Sequence, residues 1–157
     1  MKRKSTILLL FVAFLTLVSC KKSVVLEEKV VFPNANWAFE YKAIKFNSFI
    51  KESKKPFAII LELELKGVQN VEMFYAVFTI TTPKGGATMK SFAFNFVTPQ
   101  EPIISTKSGV KIYKLTLYPK KYFSETGDYT FEVNQLSNKA DNYGIHSLTL
   151  RIEKTKE

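Results

Sequence analysis

The residues from Phe57 to Leu65 alternate so strictly that one secondary structure accounts for them. Phe57, Ile59, Leu61, Leu63 and Leu65 fall on one side, with Glu62 and Glu64 opposite. Strand side chains point to alternate faces, whereas a helix would scatter these apolar residues around its axis. The same period returns at Phe74, Ala76, Phe78 and Ile80, at Phe92, Phe94 and Phe96, and at Tyr113, Leu115 and Leu117. It returns again at Tyr129, Phe131 and Val133, and at Leu148, Leu150 and Ile152. An earlier extended segment is expected to carry Trp37, Phe39 and Tyr41 on one face. Turn-forming clusters separate the runs: Phe32-Pro33-Asn34, Pro83 to Gly86, Thr98 to Pro102, Lys107 to Gly109, Glu125 to Asp128 and Asn142 to Gly144. Short strands with one wet face and regular punctuation predict an all-β fold. The specific expectation is an antiparallel β-sandwich, Ig-like or jelly-roll-like, of about seven to nine strands.

Some local expectations are finer. Residues 73–81 have Met73, Tyr75 and Val77 on their second face, which predicts a strand covered on both sides. Short helices are expected at Phe46 to Lys54 and at Pro119 to Phe123, where proline suits a first helical turn. Fourteen Phe and seven Tyr suit the filling of a two-sheet core about 10 Å thick. Within Gly127-Asp128-Tyr129-Thr130-Phe131, Tyr129 reads as a core residue with a wet hydroxyl. Its alternative reading is a tyrosine corner, with the hydroxyl returned to a loop backbone.

The N-terminus carries a different signal. Lys2, Arg3 and Lys4 precede an apolar run from Ile7 to Val18 and then Ser19-Cys20. That run is shorter than the roughly 20 residues of a membrane-spanning helix and matches a cleaved export signal. Leu17-Val18-Ser19-Cys20 has the form of a lipoprotein box, and Cys20 is the only cysteine, without a disulfide partner in the chain. Cys20 is therefore the expected lipidation site, and several acyl chains on it would hold the protein to a membrane. The expected organisation is a signal peptide over 1–19, a lipidated tether over 20–31 and a β-sandwich domain over 32–157. A tether of that length reaches roughly 30 Å when extended, enough to hold a domain clear of the head groups.

Charge narrows the partners. Removing Lys2, Arg3 and Lys4 with the signal lowers 23 basic side chains to 20 against 14 acidic ones. Apart from Arg151 these are all lysines, and they are scattered. Nucleic-acid recognition favours clustered arginine, so no nucleic-acid partner is expected. Contact with anionic head groups or acidic glycans is a secondary expectation for lysines beside the anchor.

Catalytic chemistry has few candidates. His146 is the only histidine and the only thiol is assigned to lipid, so no metal site and no cofactor are expected. No Gly-x-Ser-x-Gly elbow frames a serine, and Lys84-Gly85-Gly86 lacks phosphate-loop spacing. Glu62 and Glu64 have a spacing that a glycosidase pair could use, yet they also look like the wet face of a strand. The chain is expected not to be an enzyme. A glycan- or peptide-binding module is the alternative function, with Trp37, Tyr41, Tyr75, Tyr118 and Tyr122 as candidate surface rings.

Asn36-Trp37 after a short tether, the 57–65 strand, Gly127 to Phe131, Gln135, Tyr143-Gly144-Ile145 and Leu148 to Lys154 together resemble the gliding-motility-associated lipoproteins of the GldH type in Bacteroidetes. The middle of the chain, at Lys66 to Tyr75 and Lys90 to Phe94, departs from the family pattern. The resemblance implies an outer-membrane lipoprotein of the gliding and type IX secretion machinery, with envelope protein partners and no catalytic residues. Lys21-Lys22-Ser23 in place of acidic residues after Cys20 favours the periplasmic face, the cell surface being the alternative.

Overall fold

The computed structural model describes residues 24–105 and 108–156, so Cys20 and the signal lie outside the described residues. Nine strands follow in order: β1 Val24–Val31, β2 Ala43–Ile50, β3 Phe57–Leu65, β4 Met73–Thr81, β5 Ala87–Asn95, β6 Ile104–Ser105, β7 Lys111–Lys121, β8 Gly127–Gln135 and β9 Ile145–Lys154. They form two sheets, β1-β9-β3-β7-β6 and β2-β8-β4-β5, paired antiparallel throughout. Leaving aside the two-residue β6, the first strand pairs with the last, the second with the next to last, and so inward to the β4–β5 hairpin. That is one long hairpin rolled over itself, the jelly-roll arrangement rather than the Ig-like one.

The alternating residues meet between the sheets. Phe57, Ile59, Leu61, Leu63 and Leu65 from β3 face Phe74, Ala76, Phe78 and Ile80 from β4, and all are buried. Each such large side chain contributes about 1.5–3 kcal/mol on leaving water. Phe123, Tyr129 and Phe131 continue the core as a ring cluster, with Phe123 and Tyr129 centroids 4.9 Å apart. The second face of β4 is not covered: Met73 and Tyr75 are exposed and Val77 is half-buried.

Both expected helices are strands. Phe46 to Ile50 belongs to β2, where Ile44, Phe46 and Ile50 point inward and the lysine-rich segment that follows is a turn. Pro119 lies inside β7 at a register irregularity: Ile59 opposes Tyr118 while Phe57 opposes Lys121. A residue without an N–H is tolerated at such a bulge. The outer edge of β7 is closed by side chains. Thr116 N donates to Glu101 Oε1 at 2.7 Å, and Lys90 Nζ donates to the Leu117 carbonyl at 2.6 Å.

Most of the expected tether is also strand. Val24–Val31 pairs with β9 from Val24↔Glu153 to Val31↔Ser147. Its burial is shallow, with Val25, Leu26 and Val30 only half-buried, so an edge strand here leaves little alternation to read. The described domain therefore starts at Val24, not at residue 32.

The topology defines two ends. At the first lie the start of β1, the β2–β3 turn, the β4–β5 hairpin turn, the β7–β8 loop and the C-terminus of β9. Thr155 N to the Pro56 carbonyl (3.0 Å), Thr126 Oγ1 to the Lys51 carbonyl (3.4 Å) and the Lys84–Glu125 ion pair (3.0 Å) tie these pieces together. At the opposite, distal end lie the segment from Phe32 to Lys42 and the β3–β4 and β8–β9 loops.

Candidate functional site

The distal end is organised around a buried polar knot that the sequence pattern did not reveal. Asn142 and Gln135 are buried, at 0% and 1% exposure. Asn142 Nδ2 donates to the Trp37 carbonyl at 2.9 Å and to Gln135 Oε1 at 3.0 Å. Gln135 Nε2 donates to the Ala38 carbonyl at 2.9 Å, and Ser137 Oγ donates to Asn142 Oδ1 at 2.8 Å. Asn142 N donates to Asn36 Oδ1, whose own Nδ2 donates to Asp141 Oδ1 at 2.7 Å. Buried amides with their donors and acceptors matched in this way hold the Phe32 to Lys42 segment and the β8–β9 loop against the end of β8.

Trp37 lies beneath the knot. It is fully buried, stacked on Phe32 at 4.7 Å and tilted against Phe74 at 4.9 Å, with Nε1 donating to the Tyr41 carbonyl at 2.7 Å. The expected extended segment is absent here. Phe39–Tyr41 is a 3-10 turn closed by Tyr41 N to the Ala38 carbonyl, so Trp37 turns inward while Phe39 turns out. Gly144 completes the end. At φ +85° an added Cβ would lie 2.7 Å from the Val68 carbonyl oxygen, so only glycine fits without backbone movement. Asn36, Trp37, Gln135 and the Tyr143-Gly144 pair thus meet in space as builders of this end, with Asn36 and Tyr143 forming an isolated antiparallel bridge.

The candidate surface rings do not form a platform. Trp37 is interior, which removes it as a surface residue, and Tyr41 is half-buried against Phe32 at 6.1 Å. Tyr75 is 54% exposed at the distal end of the four-stranded sheet, whereas Tyr122, 52% exposed, follows β7 at the other end of the other sheet. Tyr118 is half-buried, with Lys90 and Lys121 ammonium groups over its ring at 4.8 and 5.4 Å. Burial pushes its phenol above the ordinary value. Tyr129 forms the corner that was the less favoured reading: its Oη donates to the Glu125 carbonyl at 3.0 Å and accepts from Glu125 N at 3.2 Å. Its hydroxyl is therefore bonded rather than wet.

The distal end presents apolar side chains around one groove. Tyr75, Met73 and Leu136 are exposed around a groove of about 420 Å3 between Asn70–Tyr75 and Leu136–Lys139. Phe39 and Tyr143, both about half exposed, lie on neighbouring loops and are not among the candidate surface rings. Lys139 Nζ donates to the Asn70 carbonyl at 2.7 Å across the groove and fixes its two walls.

The acid and base candidates are engaged elsewhere. Glu62 and Glu64 lie on the outer face of the five-stranded sheet, among Lys29, Thr149, Lys114 and Ser147 in register. Lys29 pairs with Glu64, and Arg151 pairs with Glu27 at 2.9 Å. Partial burial works to raise the Glu64 carboxyl, but the Lys29 hydrogen bond and charge outweigh it and hold it below the ordinary value. A general acid of a glycosidase needs the opposite shift. His146 is the second residue of β9, and its carbonyl accepts from Phe32 N at 2.8 Å. Among the described residues no group of three or more His, Cys, Asp or Glu could hold a metal ion.

No family model matches the chain, and no curated protein matches it. Among solved structures, it is similar to the enzymatically active domain of tailspike protein 4 of bacteriophage CBA120. Identity is 9% and the TM-score 0.33, over 87% of this chain and 18% of that one. The chain thus spans under a fifth of that structure's length, and a likeness at this level carries no functional argument. The fold and the described surfaces define a jelly-roll β-sandwich whose distal end is tightly braced and carries a partly apolar groove.

Proposed function

We propose that the protein is a non-catalytic lipoprotein that holds an envelope protein against the distal end of its sandwich. The observation that carries this reading is the placement of the apolar surface. β1 starts at the end nearest Cys20 in sequence, while the groove with Met73, Tyr75 and Leu136 opens at the opposite end. An anchored domain meets partners with the end that faces away from its membrane. A rigid, partly apolar rim with a tyrosine suits protein contact, because ordering costs are already met within the fold.

The resemblance to the gliding-motility lipoproteins supports a partner in the gliding and type IX secretion machinery, with the anchor in the outer membrane facing the periplasm. The test has two arms. Cys20→Ser should abolish acyl labelling and membrane retention, and unchanged retention would sink the anchor. Deletion of the gene should stop surface spreading, with rescue by the wild-type chain but not by Tyr75→Ser/Leu136→Ser. Both positions are exposed, so the double variant should melt as the wild type does. Full rescue by the double variant refutes the distal contact.

A further inference from the structure

The start of β1 shortens the expected tether, and that changes where the domain can sit. Only three residues, Lys21, Lys22 and Ser23, lie between Cys20 and Val24, so four residue steps join them. Four steps span at most about 14 Å, against the roughly 30 Å of an unstructured segment reaching residue 31. A domain acylated at Cys20 cannot stand clear of the head groups. Its first end is held within about 14 Å of them, under two Debye lengths of about 8 Å at physiological ionic strength.

That end is basic. The β2–β3 turn carries Lys51, Lys54 and Lys55 beside Glu52, and the hairpin turn carries Lys84. Lys120 and Lys121 close β7, and Lys154 and Lys156 close the chain. Against these eight lysines stand four acids among the described residues, Glu52, Glu125, Asp128 and Glu153. Lys84 pairs with Glu125 and Lys154 with Glu52, while exposed Lys51, Lys54, Lys120 and Lys156 make no ion pair with any described residue. Among the described residues the distal end is balanced: Lys42, Lys66, Lys111 and Lys139 against Glu40, Glu72, Glu101 and Asp141. Lysines scattered along the sequence are thus gathered by the jelly-roll pairing onto one end. Phe49 and Tyr122, each about half exposed, stand at the same end, where an apolar ring meets a membrane interface well.

We infer that the anchor-proximal end, through Lys51, Lys54 and Lys120 with Phe49 and Tyr122 beside them, docks on an anionic phospholipid surface. This orients the domain on its membrane and presents the distal groove outward. It rests on acylation at Cys20 for geometry, but charge-driven docking has its own readout in the unacylated chain. Each lysine brought to such a surface contributes about a fivefold factor in affinity, weakening as salt rises.

The experiment measures co-sedimentation of the Cys20→Ser chain with vesicles of mixed phosphatidylglycerol and phosphatidylcholine, against pure phosphatidylcholine. Binding to the mixed vesicles alone, lost at high salt, is expected. Lys51→Gln/Lys54→Gln/Lys120→Gln should weaken it about a hundredfold. The distal control Lys66→Gln/Lys111→Gln/Lys139→Gln should leave it within about twofold of the wild type, since it carries the same charge change. Equal loss in both triple variants, or no preference for the anionic vesicles, overturns the inference. In the acylated protein on mixed vesicles, amine-reactive labelling of Lys51, Lys54 and Lys120 should fall relative to Lys66, Lys111 and Lys139, and uniform labelling would contradict the docking. Failure of acylation itself would show as lost retention on pure phosphatidylcholine, and is distinguishable from failure of the charge contact.

Discussion

Removing the Asn142 side chain should destabilise the domain far more than an asparagine in a loop would ordinarily do. Its amide nitrogen bonds the Trp37 carbonyl at 2.9 Å and Gln135 Oε1 at 3.0 Å, in surroundings with no exposed surface. Asn142→Ala leaves both acceptors without that donor. Each orphaned buried group costs about 1–3 kcal/mol, and Gln135 Nε2 offsets little, since it lies 3.5 Å from the Trp37 carbonyl. The expected total is about 3 kcal/mol. With an unfolding entropy of roughly 2.1 cal/mol/K per residue, a domain of this length should melt about 10 °C lower. Thermal unfolding followed by circular dichroism reads the midpoint, and urea titration reads the free energy. Exposed Asn138→Ala, four residues earlier in the same loop, should change stability by less than about 0.5 kcal/mol. In a double-mutant cycle with Gln135→Ala, the two losses should fall short of additivity by about 1–2 kcal/mol, because each single variant strands the other's partner. A loss under about 1 kcal/mol for Asn142→Ala, or an additive cycle, would refute the view that this knot braces the distal end.

Three further outcomes follow from individual contacts. Tyr129→Phe keeps the ring packing but removes the two bonds to Glu125, and should cost about 1–2 kcal/mol in urea unfolding; no loss would mean the corner is idle. Gly144→Ala forces a Cβ to 2.7 Å from the Val68 carbonyl at a left-handed φ, and should lower the melting point by more than Gly85→Ala, where the added methyl meets open space at a similar φ. For Glu64 the folded carboxyl lies below its ordinary value, so its contribution is present above an unfolded pKa near 4.5 and is lost as pH falls through the folded value. Glu64→Gln should therefore flatten the acid side of the pH–stability curve below that point and leave the slope near neutrality unchanged; an unchanged acid limb would contradict the Lys29 pairing.

How far the sequence could be read depended on whether a residue's neighbours lay nearby in the chain. Period two marked β3, β4, β7, β8 and β9 because each buries a continuous inward face, and those inward residues are the core, although Ala58 and Ile60 on the second face of β3 are buried too. β1 was missed because an edge strand with three half-buried side chains barely alternates. β2 was misread because Phe49 points outward among inward residues. The rolled pairing of first strand with last has no local signature, and the gathering of scattered lysines at one end depends on it. Trp37 was legible as an aromatic but not as interior, because the groups that turn it inward, Gln135 and Asn142, are about a hundred residues away and are of a type common in loops. The groove at Tyr75 and Leu136 was half visible: the tyrosine stood out, and the loop that completes the wall did not.

The central claim is that the protein works through its distal end, and photo-crosslinking in living cells tests it most directly. A photoreactive phenylalanine analogue placed at Tyr75 or Leu136 should yield a discrete adduct with an envelope protein in the acylated chain. The same probe at Met89 or Tyr122, both exposed but away from the groove, should yield no such adduct. Adducts from all four positions, or from Met89 and Tyr122 alone, would contradict the claim.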